Sequence, residues 1–330
     1  DPDAVPVRLL LLAIMLASLF LAVAIPDAFG ERALLFAGSY VAIQVGRHLF
    51  LTFVVADRGT IERERAAHIL IWFVAAGVLW IAGAVADDAR SLLWLVALAI
   101  DYVAPMVMFR LPGRSLQSTA WTVQTSHFAE RFQLFVIIAL GETIVLTGAT
   151  TAKLPLDTAR VTAFCLAFVS TAALWWLYFT YVATIAERRL ELADADRTRL
   201  ARDGYTYLHV VLVAGIILSA VGDEIVIAHP ADVLPGAEVA AVVAGPALYL
   251  IGHCLFRLRL TGSVSWKRLG GAVACLAVGA LGPIAPALAL AALLVSILVA
   301  VILLEQAAAW RRSRRGDPSP LERLAIHSQE

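Results

Sequence analysis

The chain has 330 residues, of which 61% are hydrophobic and only 16% are charged, and its formal net charge is zero. A soluble domain carries about 25% charged residues, whereas here the apolar residues gather into blocks of roughly 20, the length of a membrane-crossing helix. This composition excludes a soluble globular domain. Continuous apolar runs such as LLLLAIMLASLFLAVAI exclude the alternating pattern of a β-barrel strand. The sequence therefore predicts an all-α protein, a polytopic transmembrane helical bundle.

Ten apolar segments are predicted to span the membrane. In chain order they cover residues 7–25, 33–56, 66–86, 91–109, 130–151, 160–183, 205–228, 239–256, 269–285 and 287–308. The ninth segment is short and rich in glycine, and it ends in Pro283 and Pro286, so we expect a kinked or partial span there.

Basic residues predict the orientation of these spans. Of the 26 lysines and arginines, 21 fall on one side of the ten-span arrangement and four on the other, and Arg47 lies inside a span. Because basic residues concentrate in cytoplasmic loops, we expect both visible termini to be cytoplasmic. Omitting one span would move later basic loops to the opposite side, so the asymmetry also supports the count.

The predicted domain organisation is one transmembrane domain over residues 1–310, followed by a basic and polar cytoplasmic tail over residues 311–330. A charged cytoplasmic linker, AERRLELADADRTRLARDG, covers residues 186–204. It joins two possible halves, 1–185 and 205–310, each with five predicted spans.

Three charged residues lie near the middle of predicted spans. Arg47 is 14 residues into the second span, Asp101 about ten into the fourth and Glu142 about 12 into the fifth, which at about 1.5 Å per residue is midplane depth. One arginine cannot neutralise two carboxylates, so we expect one carboxyl to hold a proton or the site to bind a cation. The three side chains would then share one hydrated pocket with surplus negative charge. A structural salt bridge, a role in transport and a role in catalysis all stay open.

A polar stripe is predicted along the fifth span. His127, Glu130 and Arg131 lie at helix positions i, i+3 and i+4, and Arg131 lies about three turns before Glu142 on nearly the same side. The stripe would form a proton relay or gate, with histidine titrating near neutral pH. The alternative is that these residues anchor a helix end at the membrane interface.

A short sequence similarity links the fifth and seventh spans. ALGETIV in the fifth resembles AVGDEIV in the seventh. Gly141 and Gly222 occupy the same position in the two segments, and both are predicted to allow close helix packing. Duplication and chance both explain a seven-residue match in apolar sequence.

Other polar residues lie near the ends of later spans. His209 is near the cytoplasmic start of the seventh span, and Asp223 and Glu224 are near its outer end. The paired carboxylates indicate either an external vestibule or cation site, or a solvated helix end. His253 and Glu305 lie near cytoplasmic helix ends, from which we expect them to reach water.

Catalytic and metal motifs are sparse in this sequence. HFAE gives a single His-x-x-Glu, whereas a carboxylate-bridged di-iron site needs two Glu-x-x-His units and further glutamates. No HExxH, GxSxG or glycine-rich phosphate loop occurs. The three cysteines are far apart within apolar blocks, so we expect neither a metal nor a cofactor.

Four segments resemble the low temperature requirement protein A (LtrA) family. They are HFAERFQLFVIIALGETIV (127–145), DPDAVPVRLLLLAIMLASLFLAVAIPDAFG (1–30), LAIDYVAP (98–105) and YLHVVLVAGIILSAVGDEIVIAHP (207–230). The resemblance implies a multi-pass protein of the bacterial cytoplasmic (inner) membrane, associated by name with growth in the cold, and it implies no chemistry. The positions that it singles out are His127, Glu130, Arg131, Gly141 and Glu142, followed by Arg47, Asp101, His209 and Asp223.

The chain differs from the family pattern at its start. Family members usually carry further N-terminal spans with an acidic and aromatic stretch like ELFFDLVFVFA, and this chain begins after that point. An acid from such a helix would change the midplane charge sum.

The sequence favours a proton- or cation-linked transporter or channel-like protein, with Glu142 and Asp101 as titratable or ion-binding groups and Arg47 as counter-charge. One alternative is an intramembrane enzyme acting on a lipid or isoprenoid. Another is a membrane sensor or assembly protein with a structural polar core. The expected partners are the lipid bilayer and an unknown small molecule, lipid or ion, but no nucleic acid. An oligomer is compatible with the sequence.

Overall fold

The computed structural model describes residues 4–57, 59–113, 125–193, 197–318 and 322. Over those ranges the chain forms helices and no β-strand. The helices, in chain order, are α1 Val5–Asp27, α2 Ala33–Val55, α3 Ile61–Val85, α4 Asp87–Met106, α5 Thr125–Thr151, α6 Thr158–Glu191, α7 Arg197–Ala228, α8 Gly236–Thr261, α9 Trp266–Val278 and α10 Ala287–Arg315. All except α9 are long and apolar enough to cross a membrane. The prediction of an all-α polytopic transmembrane protein is confirmed.

The ninth predicted span, 269–285, corresponds to the short helix α9. Its 13 residues continue as a single 3₁₀ turn, Gly279–Leu281. At about 1.5 Å per residue, 13 residues cover about 20 Å, which is less than the roughly 30 Å of a bilayer core. A left-handed Gly262 (φ 66°) ends α8 and starts the turn into α9, a conformation that glycine adopts without strain. The segment is therefore a short helix with an irregular end, but it still follows α8 to its opposite end, because a Cβ on Gly282 would lie 2.7 Å from the Val239 side chain and the Ala287 N–H donates to the Asp232 carbonyl at 2.9 Å.

Two compact units divide the chain, Asp1–Thr122 with α1 to α4 and Val123–Glu330 with α5 to α10. The boundary falls between the fourth and fifth predicted spans, whereas the predicted linker 186–204 lies inside the second unit. The predicted organisation as one domain over 1–310 stays a prediction.

The first unit has an aromatic core between small side chains. Trp80 of α3 and Trp94 of α4 lie with ring centroids 5.4 Å apart, and the Trp94 indole N–H donates to the Trp80 carbonyl at 2.9 Å. Buried alanines on α2, including Ala37, leave room for these rings. Arg90 at the start of α4 donates to the Gly83 carbonyl at 3.2 Å. It thereby supplies a donor to a carbonyl in the last turn of α3, where helical donors are missing.

The second unit is built on a tight contact between α7 and α8. A Cβ on Gly215 would lie 2.6 Å from the Tyr249 nitrogen, and one on Gly245 would lie 2.5 Å from the Ser219 nitrogen. Only glycine permits this backbone approach, which is the usual device for close helix packing in membranes. Gly222 contributes to the same contact, since its Cβ would lie 3.0 Å from an α8 Cα atom. This geometry is consistent with its predicted packing role.

Two helices of the second unit depart from α-helical geometry. A π-helical segment, Tyr178–Val182, interrupts α6, and another, Ala201–Leu208, precedes the regular part of α7. In the first unit, α2 also ends in a π-helical segment, Leu51–Val55. Such segments shift the backbone hydrogen bonds by one residue and occur frequently at functional sites.

Candidate functional site

The second unit contains a small cavity around the Asp223 carboxylate, here called the Asp223 cavity. Asp223 and Ser219 lie one turn apart on α7, Ser170 comes from α6, and Pro246 interrupts α8. Its volume is about 20 Å³, and its remaining walls are apolar residues that include Ala291, Leu294 and Val295 of α10. Four membrane-length helices therefore converge on one carboxylate.

The oxygen atoms around this cavity suit a proton or a small cation. The Ser219 hydroxyl donates to the Gly215 carbonyl at 2.8 Å, which leaves its lone pairs free to accept. Pro246 has no N–H, so the Val242 carbonyl lacks its usual helical donor. Carboxylate, hydroxyl and carbonyl oxygens are the ligands of hard cations. A cavity of this size holds about one water molecule or one ion of similar size.

Asp223 itself has no hydrogen bond or ion pair to any described residue. An isolated ionised carboxylate in an apolar site is unstable by several kcal/mol or more, so such a group takes up a proton or binds a cation. The sequence predicted Asp223 and Glu224 as a pair, but the structure separates them. Glu224 is exposed and accepts a hydrogen bond from the Thr150 hydroxyl at 3.2 Å.

A second polar region, the tyrosine–histidine cluster, consists of Tyr178, His209, Tyr249 and His253. The Tyr178 hydroxyl lies 2.8 Å from His209 Nε2, and His209 Nδ1 lies 3.2 Å from the Gly204 carbonyl. Because a carbonyl only accepts, neutral His209 carries its proton on Nδ1 and accepts from Tyr178 through Nε2. His209, predicted near a cytoplasmic helix start, is thus buried and hydrogen-bonded.

His253 corrects the sequence-based expectation that it reaches water from a helix end. It is 0% exposed, and neither ring nitrogen has a hydrogen-bond partner among the described residues. Its ring centroid lies 4.5 Å from that of Tyr249, whose hydroxyl donates to the Leu174 carbonyl at 2.7 Å. Position along α8 alone suggested a helix end, but in the fold Tyr178 of α6 also packs beside the His253 ring, with ring centroids 6.1 Å apart.

The two π-helical segments of the second unit lie at this cluster. Tyr178 begins the segment in α6, and His209 follows directly after the segment in α7. The His209 ring bonds the carbonyl of Gly204, five residues earlier, so a side chain satisfies a backbone group within the shifted hydrogen-bond pattern. No local sequence pattern distinguished Tyr178, since a tyrosine in an apolar run is typical of an ordinary core residue.

Beyond the cluster is a larger cavity of about 420 Å³, here called the basic-end cavity. Arg268 at its wall is buried and donates to both Glu305 oxygens, at 2.8 and 2.9 Å, and to the Leu177 carbonyl at 3.1 Å. Glu305 is therefore paired with Arg268, in contrast to the predicted solvated end. The side chains that line the cavity include Trp176, Arg257, Trp266, Lys267, Arg268, Glu305 and Arg312.

In the first unit, neutral donors hold Asp101. Its Oδ2 accepts from the Tyr40 hydroxyl and from the Trp80 indole N–H, each at 2.9 Å, and its Oδ1 is buried with no partner among the described residues. Arg47 is directed to Gln44, 3.3 Å from the side-chain oxygen. Across the described part of this unit, no ion pair joins Arg47 to Asp101, so the counter-charge role of Arg47 finds no support there.

The predicted stripe on α5 has exposed members within its own unit. Glu130, Arg131, Gly141 and Glu142 are all exposed there, and a Cβ on Gly141 would meet no atom within 4 Å. The side chain of His127 lies outside the described residues. Arg47 and Asp101 belong to one unit and Glu142 to the other, so the shared pocket of all three stays a prediction.

The family model for bacterial low temperature requirement A protein (LtrA) matches residues 1–303. The chain is 35% identical over 255 residues to Uncharacterized protein RA0937 of Rhizobium meliloti (strain 1021), a match that covers 76% of this chain and 62% of that protein. The chain thus spans less than two thirds of that relative's length. No solved structure matches the chain.

Proposed function

The chain belongs to the bacterial low temperature requirement A (LtrA) family, and for this multi-span membrane protein we propose a function as a proton- or cation-linked transporter or channel-like protein. Asp223 is the group that takes up and releases the proton or cation. The observation that carries the proposal is the unpartnered Asp223 carboxylate in a cavity of about 20 Å³, enclosed by four membrane-length helices. Ionisable groups at such positions usually mark ion or proton pathways.

The size of the cavity limits what binds there. A volume of about 20 Å³ accommodates a proton carried by the carboxyl, one water molecule or one small cation. An organic substrate would need a larger space elsewhere along the pathway. The coupling ion, rather than the transported molecule, is therefore the species assigned to Asp223.

The tyrosine–histidine cluster supplies a second station on the same helices. His209 precedes Asp223 by 14 residues on α7, a rise of about 21 Å. His209 and Tyr178 already share a hydrogen bond of 2.8 Å, and histidine is a side chain that commonly serves as a proton shuttle. His253 offers two further nitrogen atoms that have no hydrogen-bond partner among the described residues.

An apolar layer separates the two stations. Three of the four helices contribute fully buried aliphatic side chains between their residues in the Asp223 cavity and their residues at the cluster or the basic-end cavity: Leu174 on α6, Leu212 and Ile216 on α7, and Leu298 on α10. Ions do not cross such a layer without a structural change. The π-helical segments and the proline break in α8 are points at which helices bend, and we assign the gating movement to them.

We further propose that this protein lies in the bacterial inner membrane with both visible termini in the cytoplasm. The basic residues of the α8–α9 turn and of the end of α10 would then face the cytoplasm, in agreement with the positive-inside rule. Asp223, near the other end of α7, would be reached from outside. The alternative functions, an enzyme acting on a lipid or isoprenoid and a sensor or assembly protein, stay predictions.

Flux in proteoliposomes tests the role of Asp223. An imposed pH gradient, read with a trapped pH-sensitive dye in sodium and in potassium buffers, should collapse through the wild-type protein. Asp223→Asn, which removes the charge and keeps the shape, should reduce flux to the level of empty vesicles. The matched control is Glu224→Gln, which neutralises the exposed neighbour and should retain flux. Equal flux in wild type and Asp223→Asn would remove Asp223 from the mechanism.

A further inference from the structure

The basic-end cavity has the chemistry of an anion site. We propose that it binds a phosphate group, carried by an anionic lipid headgroup or present as free phosphate. This site is separate from Asp223 and goes beyond the proposed transport function. Its volume of about 420 Å³ lies within the range of small-ligand sites, about 300–1,000 Å³.

The charges on the cavity wall do not balance. Four basic residues line it against one carboxylate, and that carboxylate, Glu305, is bonded twice to Arg268. The three remaining cations, Arg257, Lys267 and Arg312, therefore surround the space with an excess positive charge. A phosphate group satisfies such a cluster, because arginine donates to it in a bidentate manner and lysine adds a point charge.

Neutral acceptors hold two of these cations in place. The Arg257 Nε donates to the Ser263 hydroxyl at 3.1 Å, and the Lys267 ammonium donates to the Leu304 carbonyl at 2.9 Å. Each retains further N–H groups for a ligand, since guanidinium has five donors and ammonium three. All three cations are partly buried, so water screens them less than it screens exposed side chains.

The start of α9 lies at the same cavity. Val264, Ser265 and Trp266 line it, and the helix has no side-chain cap, because the Ser265 hydroxyl donates to Glu305 at 3.4 Å instead. The first backbone bond of α9 runs from Leu269 N–H to the Ser265 carbonyl. The three N–H groups before Leu269 have no intrahelical acceptor, and helix starts of this kind bind phosphate through such groups and the helix dipole.

Aromatic residues at the rim give the site the character of a membrane interface. Trp176 and Trp266 are 43% and 77% exposed, and Ile302 contributes apolar surface beside them. Tryptophan concentrates at headgroup depth in membrane proteins. A bound lipid would place its phosphate among the cations and its acyl chains along this apolar surface.

Calorimetric titration of the full chain in uncharged detergent tests the proposal. The probes are short-chain phosphatidylglycerol, phosphatidylcholine with the same chains, and inorganic phosphate. We expect saturable binding of phosphatidylglycerol, about tenfold or more tighter than that of phosphatidylcholine. Competition by millimolar inorganic phosphate would identify a site for free phosphate. Its failure to compete would identify a lipid site in which acyl chains contribute.

A matched pair of double variants localises the binding. Lys267→Gln with Arg312→Gln removes two cations from the cavity and should weaken binding about tenfold. Arg314→Gln with Arg315→Gln removes the same charge from exposed positions at the same end of α10 that do not line the cavity, and it should leave Kd within about twofold. If the first pair does not fold, Arg257→Gln takes its place.

Two results would overturn the proposal: no saturable binding of either phosphatidylglycerol or phosphate, or equal weakening by both double variants, which would indicate general surface attraction. The Asp223→Asn variant should bind phosphatidylglycerol like wild type. A failure of the transport hypothesis and a failure of the phosphate site are therefore distinguishable.

Discussion

Asp101 and Asp223 are both aspartates within membrane-length helices, one in each unit, and their surroundings differ. Tyr40 and Trp80 each donate to one Asp101 oxygen at 2.9 Å within an aromatic core. Asp223 has no such donor among the described residues and lines a cavity instead. Burial at membrane depth therefore does not by itself identify a transport residue. What distinguishes the two carboxylates is whether the protein already supplies their hydrogen bonds.

Neutralising each carboxylate in turn tests whether Asp101 and Asp223 differ in their effect on flux. Asp101→Asn keeps an oxygen that accepts from Tyr40 and Trp80, so flux should stay within about threefold of wild type. Asp223→Asn should lower flux by about a hundredfold or more, because no other carboxylate lines that cavity. The same proteoliposome assay compares both with Glu142→Gln. Loss of flux in Asp101→Asn with retention in Asp223→Asn would reverse the assignment.

The next effect concerns the helix contact that positions Asp223. Gly245→Ala would place a Cβ 2.5 Å from the Ser219 nitrogen, and overpacking of this kind destabilises by about 1–3 kcal/mol. We expect a lower melting temperature and weaker flux. Gly141→Ala is the control, because its Cβ meets no atom within 4 Å, and alanine favours a helix over glycine by about 1 kcal/mol. Equal melting of the two variants would show that α7 and α8 are not in this close contact.

A smaller effect is expected when Asp101 loses one donor. Tyr40→Phe removes the hydroxyl bond of 2.9 Å and should destabilise the protein by about 1–3 kcal/mol, because the carboxyl keeps its desolvation cost. In an Asp101→Leu background the same change should have almost no effect, which thermal melting of the four proteins in a double-mutant cycle would measure. If the effects of the two changes on stability were fully additive, they would contradict a hydrogen bond between Tyr40 and Asp101.

The smallest effect tests the coupling between the π-helical segments. Tyr178→Phe deletes the donor to His209 Nε2 and should cost about 1 kcal/mol in stability. If the cluster relays protons, Tyr178→Phe should also reduce flux by more than the loss of folded protein explains. The matched Tyr249→Phe loses only a bond to a backbone carbonyl and should leave flux unchanged. Equal flux in both variants would restrict Tyr178 to packing.

Much of the fold followed from the order of apolar blocks. Nine predicted spans correspond to membrane-length helices, and the glycines and prolines near 283 indicated the irregular end of the ninth segment. Candidate site residues were harder to predict, because a residue's position within a span gives its depth in the membrane but not its neighbours. Asp223 was found as one of two carboxylates, yet nothing in the local sequence distinguished it from exposed Glu224.

By itself, the sequence determined that this chain spans a membrane as helices, because 20-residue apolar blocks have no other way to satisfy their backbone in lipid. Only the tertiary structure decided which polar groups meet. The Asp223 cavity needs Ser170 from α6 and Pro246 from α8 beside α7, and the Arg268–Glu305 pair joins residues 37 positions apart. Such contacts depend on helix rotation and close glycine packing, which hydrophobic periodicity encodes weakly when helices are apolar on every side.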